Sequence, residues 1–187
     1  MRASEFDRFC RFAFEFLERE GVRYLVIGGL AVVAVGEPRT TADADVIAFM
    51  TAVEAESLIS KASRAGFELR EDVERERLAM TGTLRFRRQP FQIDLITASL
   101  PFEEIAFRRA HYHELFGMRL PFSSPEDLIL FKVLAGRDKD LLDAIGVARR
   151  HHGRLDRNYL EQTLQQLCEL AEDLAPWDRL QRVLGAR

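Results

Sequence analysis

Cysteine is scarce: Cys10 and Cys168 are the only two in a chain of 187 residues. At most one disulfide can form, which excludes a disulfide-stapled scaffold and suits a reducing compartment, so a cytoplasmic location is expected. No apolar run approaches the roughly 20 residues that a membrane-spanning helix needs, and no membrane partner is expected. The opening MRASEFDRFCRF mixes both charge signs and lacks the apolar centre of a secretory signal. Histidine numbers only four, as His111, His113, His151 and His152, with no cysteine at zinc spacing beside them. That excludes a zinc site and leaves them as surface or packing residues. No G-K-[S/T] follows the glycine-rich stretch, so it is not a P-loop, and no ordered Ser-His-Asp or Cys-His set supports covalent catalysis. A charge excess is also missing: 27 Lys and Arg face 30 Asp and Glu, which argues against a nucleic-acid coat protein.

Apolar residues make up 47% of the chain, enough for a globular core and too many for wholesale disorder. The length allows one domain, or a core with an appendage. Residues 4–20 form an amphipathic helix, with Phe6, Phe9, Cys10, Ala13, Phe16 and Leu17 on one side, Ser4 as cap and Gly21 as stop. This Phe stripe reads as core packing. A strand over Val22–Ile27 follows, then Gly28-Gly29, a buried helix over Leu30–Val35, and a strand over Val46–Phe49. Thr51 and Glu54 make a capping box for a helix running to Ala65. Residues 67–80 are charge-dense and weakly patterned, and a strand followed by an irregular crossing is expected there. Thr83–Arg88 and Phe91–Thr97 alternate as neighbouring strands joined by Gln89-Pro90. Beyond Pro101 the pattern is mostly helical, save for the alternation at His111-Tyr112-His113. Ser124-Pro125-Glu126-Asp127 opens a helix through Leu134. Further helices span Asp138–Arg150, Asp156–Leu170 and Pro176–Leu184. The expected organisation is a core over residues 1–122 and a helical C-terminal region over 123–187 packed on it.

The chemistry concentrates in carboxylates. Asp43 and Asp45, two apart at the start of a strand, share one face of it. Their repulsion calls for a cation between them, and such hard oxygen ligands suit Mg²⁺. Asp94 sits inside the apolar run Phe91-Gln-Ile-Asp-Leu-Ile, where an unpaired buried carboxylate is costly. If the two strands are neighbours, three carboxylates converge and can hold two Mg²⁺, one carrying a triphosphate and one activating a hydroxyl. Two glycines between strand and helix let a ligand approach the backbone, and the helix N-terminus offers amides to phosphate. Arg85 should lie opposite Asp94 on the same face; it either pairs with Asp94, reaches a phosphate, or guards a solvated sheet edge.

The ordered set Ile27-Gly28-Gly29, Asp43-Ala44-Asp45-Val46 and Ile93-Asp94-Leu95 resembles the nucleotidyltransferase superfamily related to DNA polymerase β. The longer stretch GGLAVVAVGEPRTTADADV, with Arg39, Thr41, Asp43 and Asp45, is similar to the AbiEii-like abortive-infection type IV toxin nucleotidyltransferases. Two departures stand out: Ala44 is small where the superfamily prefers a bulkier residue, and Gly29 replaces a serine of many polymerase-like members. A second similar stretch, SPEDLI followed by Lys132, Arg137, Lys139, Asp140 and Asp143, extends the resemblance to more than half the chain. The resemblance implies an α+β fold, a small mixed sheet flanked by helices with a helical C-terminal region. It implies transfer of an NMP from an NTP to a hydroxyl acceptor, a tRNA 3′ end or a protein side chain, with Mg²⁺ or Mn²⁺ as cofactor. A toxin–antitoxin setting would add a cognate antitoxin as partner. Asp43, Asp45 and Asp94 would be the catalytic and metal-binding residues. Gly28, Gly29, Arg39, Thr41, Lys132, Arg137 and Asp140 would bind nucleotide, Lys132 by countering triphosphate charge. The alternatives are a non-catalytic nucleotide- or RNA-binding protein of the same fold and an antibiotic nucleotidyltransferase. For the Lys132 to Asp140 stretch the plainer reading is solvated i,i+4 pairs.

Charge is unevenly spread. Residues 22–60 carry two Arg against five Asp and Glu, whereas residues 132–157 carry seven Lys and Arg against four Asp. An acidic metal site and a basic helical segment leave a phosphate-rich partner feasible.

Overall fold

The computed structural model describes residues 4–37 and 40–186. The chain opens on helix α1 (Glu5–Arg19), where Ser4 and Asp7 form a reciprocal capping box. Phe9, Cys10, Ala13, Phe14, Phe16 and Leu17 are its buried side, as the spacing of its apolar residues predicts. Strand β1 (Arg23–Ile27) leads without a break into α2 (Gly28–Val35). The diglycine is therefore the first turn of the helix and not a linker before it.

Next come β2 (Asp43–Phe49), α3 (Ala52–Ala65), α4 (Glu71–Thr81), β3 (Thr83–Arg88) and β4 (Phe91–Thr97). Thr51 and Glu54 cap α3, and Gly66 ends it in the left-handed conformation. The strand expected within residues 67–80 is absent. A single bridge joins Glu68 to Arg87, and α4 takes the rest. Helix α4 escapes a search for apolar periodicity because its buried residue is an acid, Glu74. The Glu74 carboxylate accepts the Arg85 backbone N–H at 2.8 Å and pairs with Arg77 at 3.3 Å. A hydrogen-bonded acid does the anchoring that an apolar stripe usually does.

Helix α5 (Pro101–Arg108) is followed by a hairpin: β5 (His111–Leu115), the strand that the His111-Tyr112-His113 alternation predicts, and β6 (Met118–Phe122), in a region otherwise expected to be helical. The helices α6 (Pro125–Ala135), α7 (Asp138–Arg150), α8 (Arg157–Ala171) and α9 (Ala175–Gly185) complete the chain. Cys10 and Cys168 are both buried and free. Among the described residues no helix is long and apolar enough to cross a membrane.

The six strands form one mixed sheet in the order β3-β4-β2-β1-β6-β5. β2 runs parallel to β4 and antiparallel to β1; β1 runs parallel to β6. Alternation sorts the central strands between two faces. Tyr24, Val26, Ala44, Val46, Ala48, Ile93 and Leu95 join α1, α2, α3 and the C-terminal helices in the larger core. Leu25, Ile27 and Ile47 face the other way with Ala106 of α5. On that second face the same alternation places Asp43, Asp45 and Asp94, where the cover thins out.

Candidate active site

The register pairs Asp45 of β2 with Asp94 of β4, and Asp94 in turn with Arg85 of β3. Both partners of Asp94 follow from parity: in a sheet, residues directly opposite share a face. Arg85 grips Asp94 with two hydrogen bonds, Nε to Oδ1 and a terminal nitrogen to Oδ2, each 2.7 Å. Of the readings open for Arg85, pairing with Asp94 is the one observed. The planar fork of arginine matches a carboxylate edge-on, so the Asp94 side chain is held in one orientation.

Asp45 sits in a tighter place. Gly28 has φ +64°, and a Cβ there would fall 2.0 Å from Asp45 Oδ2. Glycine is needed twice over, for the left-handed backbone and for the room it leaves Asp45. The Gly29 backbone N–H lies near enough to the Asp45 carboxylate to favour its charged form. Burial, then Asp94, then Asp43 push the Asp45 pKa above the usual carboxylate range, against the pull of the Gly29 N–H and Lys132. The diglycine thus seats a carboxylate as well as opening the helix. Asp43 begins β2 in the open, and Thr41 Oγ1 donates to its backbone carbonyl at 3.0 Å.

Across from the strands lies the α6–α7 corner. Lys132 Nζ donates to Asp140 and Asp143 at 2.8 Å each, with Lys132 and Asp140 buried. Arg137 adds a bond to Asp140 at 2.5 Å while its own side chain stays 64% exposed. Burial raises the Asp140 pKa, but the Arg137 and Lys132 hydrogen bonds outweigh it and leave the group below its ordinary range. These residues are therefore not solvated i,i+4 pairs. They are a buried bridge between two helices, with Lys132 already facing two carboxylates. Lys139 stands exposed beside them.

One cleft of about 410 Å³ gathers Gly28, Gly29, Asp43, Asp45, Asp94, Lys132, Arg137 and Asp140 on its walls. Arg85 and Lys139 join them, and Ile27, Ile47, Ile96, Phe102 and Phe131 supply an apolar wall. Thr41 is not on the wall; it acts on Asp43 from behind. Arg39 lies outside the described residues. The Asp143 anchor of Lys132 and the Phe102–Phe131 wall escape sequence reasoning, the latter because two Phe far apart in the chain carry no shared pattern. Among the described residues no three His, Cys, Asp or Glu side chains are grouped closely enough to hold a metal ion as they stand. The expected convergence reaches one cleft but not a closed cage, with both Asp94 oxygens engaged by Arg85.

No protein-family model matches the chain, and no curated protein matches its sequence. Solved structures do. An antigenic nucleotidyltransferase-like protein from Paracoccidioides brasiliensis is 18% identical with a TM-score of 0.51, over 98% of this chain and 93% of that one. The lincosamide antibiotic adenylyltransferase LnuA, in its lincomycin-bound form, is 17% identical with a TM-score of 0.52, over 79% of this chain and 98% of that one. The antibiotic-resistance factor ANT(2'')-Ia is 11% identical with a TM-score of 0.57, over 89% of this chain and 95% of that one. The fold is thus a nucleotidyltransferase-like α+β fold, a six-stranded mixed sheet flanked by helices.

Proposed function

We propose that this protein is a divalent-metal-dependent nucleotidyltransferase that moves an NMP from an NTP to a hydroxyl acceptor and releases pyrophosphate. The observation that carries this reading is the meeting of Asp43, Asp45 and Asp94 with the first turn of α2 and the α6–α7 corner, where Arg137 and Lys139 are exposed, in one cleft. Residues 1–122 are read as the core and 123–187 as the helical region that supplies that corner.

The donor set fits a hard cation in kind: three carboxylates, one of them burdened by burial and by two like charges. Asp43, Asp45 and Asp94 would hold Mg²⁺ or Mn²⁺, which when bound neutralises triphosphate charge and makes the hydroxyl a better nucleophile. The chain's own groups do the rest. The first turn of α2, from Gly28 and Gly29, turns its amides toward the phosphates. Arg137 and Lys139, at the cleft wall, counter the remaining negative charge, while buried Lys132 fixes Asp140 and Arg137 and lowers the cost of ionising Asp45. Thr41 steadies the start of β2, and Arg39 follows only from the resemblance. Asp94, held by Arg85 through one lone pair on each oxygen, uses a remaining lone pair to take the hydroxyl proton as the acceptor attacks the α-phosphate in line. Positioning and charge compensation supply most of the rate.

The AbiEii-like motif favours a tRNA 3′ end or a protein side chain as acceptor, in a toxin–antitoxin setting with a cognate antitoxin. A second reading, adenylylation of an antibiotic hydroxyl, is favoured by the lincosamide antibiotic adenylyltransferase and the antibiotic-resistance factor among the similar structures. The test is incubation with Mg²⁺, each labelled NTP and, separately, total tRNA, a protein extract, and aminoglycoside or lincosamide acceptors. Label on tRNA or protein that is lost in Asp45→Asn is the expected result, and label on a drug alone selects the second reading. No transfer to any acceptor, with NTP binding intact, overturns the enzyme and leaves a nucleotide-binding module.

A further inference from the structure

The four histidines carry no motif in the sequence, yet three of them meet in space. His111 and His113 of β5 and His151 at the end of α7 line a second cavity of about 350 Å³, together with Arg150 and Arg154. The acid on its wall is Glu126, and both Glu126 oxygens are engaged: Oε1 accepts the Asp156 N–H at 3.0 Å and Oε2 lies 3.5 Å from Arg109. His113 Nε2 is buried with no hydrogen-bond partner, a polar atom whose desolvation nothing in the chain compensates. Arg150 donates to the Gly36 carbonyl, and His151 Nε2 contacts the Val35 carbonyl at 2.6 Å. Both basic groups thus sit at the C-terminal end of α2, whose N-terminal turn opens on the carboxylate cleft. An eight-residue helix is about 12 Å long, so the two cavities lie at opposite ends of one short rod.

We propose that this cavity is a second anion site, which takes a backbone phosphate of a polynucleotide acceptor whose reactive hydroxyl lies in the carboxylate cleft. Arg150, His151 and Arg154 each give one nitrogen to a backbone carbonyl, Gly36, Val35 and Arg150 respectively. The remaining N–H groups of the two guanidiniums and the imidazole of His111 are the donors left for a phosphodiester, and the surrounding segment 132–157 has the basic excess to draw one in. A ligand that touches both ends of α2 must be extended and carry more than one phosphate. That describes a nucleic-acid strand better than a drug. The polynucleotide part of the proposal rests on the nucleotidyl-transfer reading; the anion site does not.

The experiment is a titration of the full chain, without NTP or metal, followed through the histidine ring signals. The probes are inorganic phosphate and a single-stranded RNA of about ten nucleotides. RNA should move the His111, His113 and His151 signals and leave His152, which is not on the cavity wall, in place. Arg154→Glu should weaken RNA at least tenfold, Arg154→Lys should retain it, and Arg154→Gln should lower the salt slope by about one. Asp45→Asn, which removes transfer, should still show the His111, His113 and His151 shifts on RNA addition, so a lost transfer reaction and a lost anion site are read separately. The proposal is overturned if these rings do not respond to RNA, if Arg154→Glu binds unchanged, or if inorganic phosphate shifts them and RNA does not.

Discussion

The two faces of the sheet are built from the same strands by the same alternation, and they meet opposite fates. On one face Val26, Val46 and Leu95 pack under helices into a core that leaves them no exposed surface. On the other, the positions one step along carry Ile27, Asp45 and Asp94, and α5 covers only part of them. A slip of one residue in β2 or β4 would drive the carboxylates into the larger core and bring valine and leucine to the cleft. The sealed face therefore fixes the register that the open face uses. Within the open face the ionic groups divide again: Lys132, Asp140 and Asp143 form a buried, paired bridge, whereas Asp45 is half-buried beside Asp94 and Asp43 with no ion-pair partner among the described residues. A compensated cluster should stabilise the protein if it is left whole, and an uncompensated one should cost stability and serve chemistry.

That contrast can be broken at the bridge first. Lys132→Met removes the buried ammonium that joins Asp140 to Asp143, leaves Arg137 to hold Asp140, and should cost about 3 kcal/mol in urea unfolding, since breaking a buried ion pair strands charge in the interior. Adding Asp140→Asn and Asp143→Asn should recover part of the loss. If Lys132→Met unfolds like the wild type, the bridge is not the structural member described here.

The opposite sign is expected at Asp45. Asp45→Asn should lower transfer by at least about a hundredfold while leaving the melting temperature equal or higher. The pH dependence follows from the raised folded-state pKa: the native state holds its proton to higher pH than the unfolded state does. Ionising Asp45 thus costs stability as pH rises through the interval between the two values. The gap in melting temperature between Asp45→Asn and wild type should widen from acid to neutral pH. A gap that narrows over that range would contradict the assignment.

Gly28→Ala tests the seat itself. Its Cβ would collide with Asp45 Oδ2, and its φ is unfavourable for alanine, so a loss of about 1–3 kcal/mol together with weakened transfer is expected. Thermal unfolding and NTP turnover, measured on one preparation, should fall together. The smallest effect belongs to Arg85→Gln. Its side chain is 29% exposed, so losing the fork to Asp94 should cost only about 1 kcal/mol. Transfer should fall further than stability does, because Asp94 is then free to turn. Equal stability and equal turnover in this variant would show that Arg85 does not orient Asp94.

Much of this arrangement is legible from local rules. The cap at Ser4, the box at Thr51, the Ser124-Pro125 start and the β3–β4 pairing each follow from a few neighbouring residues. So does the meeting of Arg85 with Asp94, because a short connection fixes register. Of the hairpin β5–β6 only the His111–His113 alternation shows in the sequence; β6 escaped because the turn is Phe116-Gly117, with φ +57° and +74°, and phenylalanine in a left-handed turn lacks the Asn-Gly signature of such turns. Helix α4 escaped because an acid and not an apolar stripe docks it. The Arg39 and Thr41 wording of the resemblance carries no geometry that local rules can supply.

By itself the sequence determined which carboxylates share a face and which residues begin and end most elements, because periodicity, capping and turn chemistry act over a few residues. Only the tertiary structure decided that Lys132 is a buried bridge and that Gly28 makes room for Asp45. It alone brought three scattered histidines to one cavity. Those outcomes depend on which elements pack side by side, and proximity across dozens of residues is set by the assembled core, not by any local pattern.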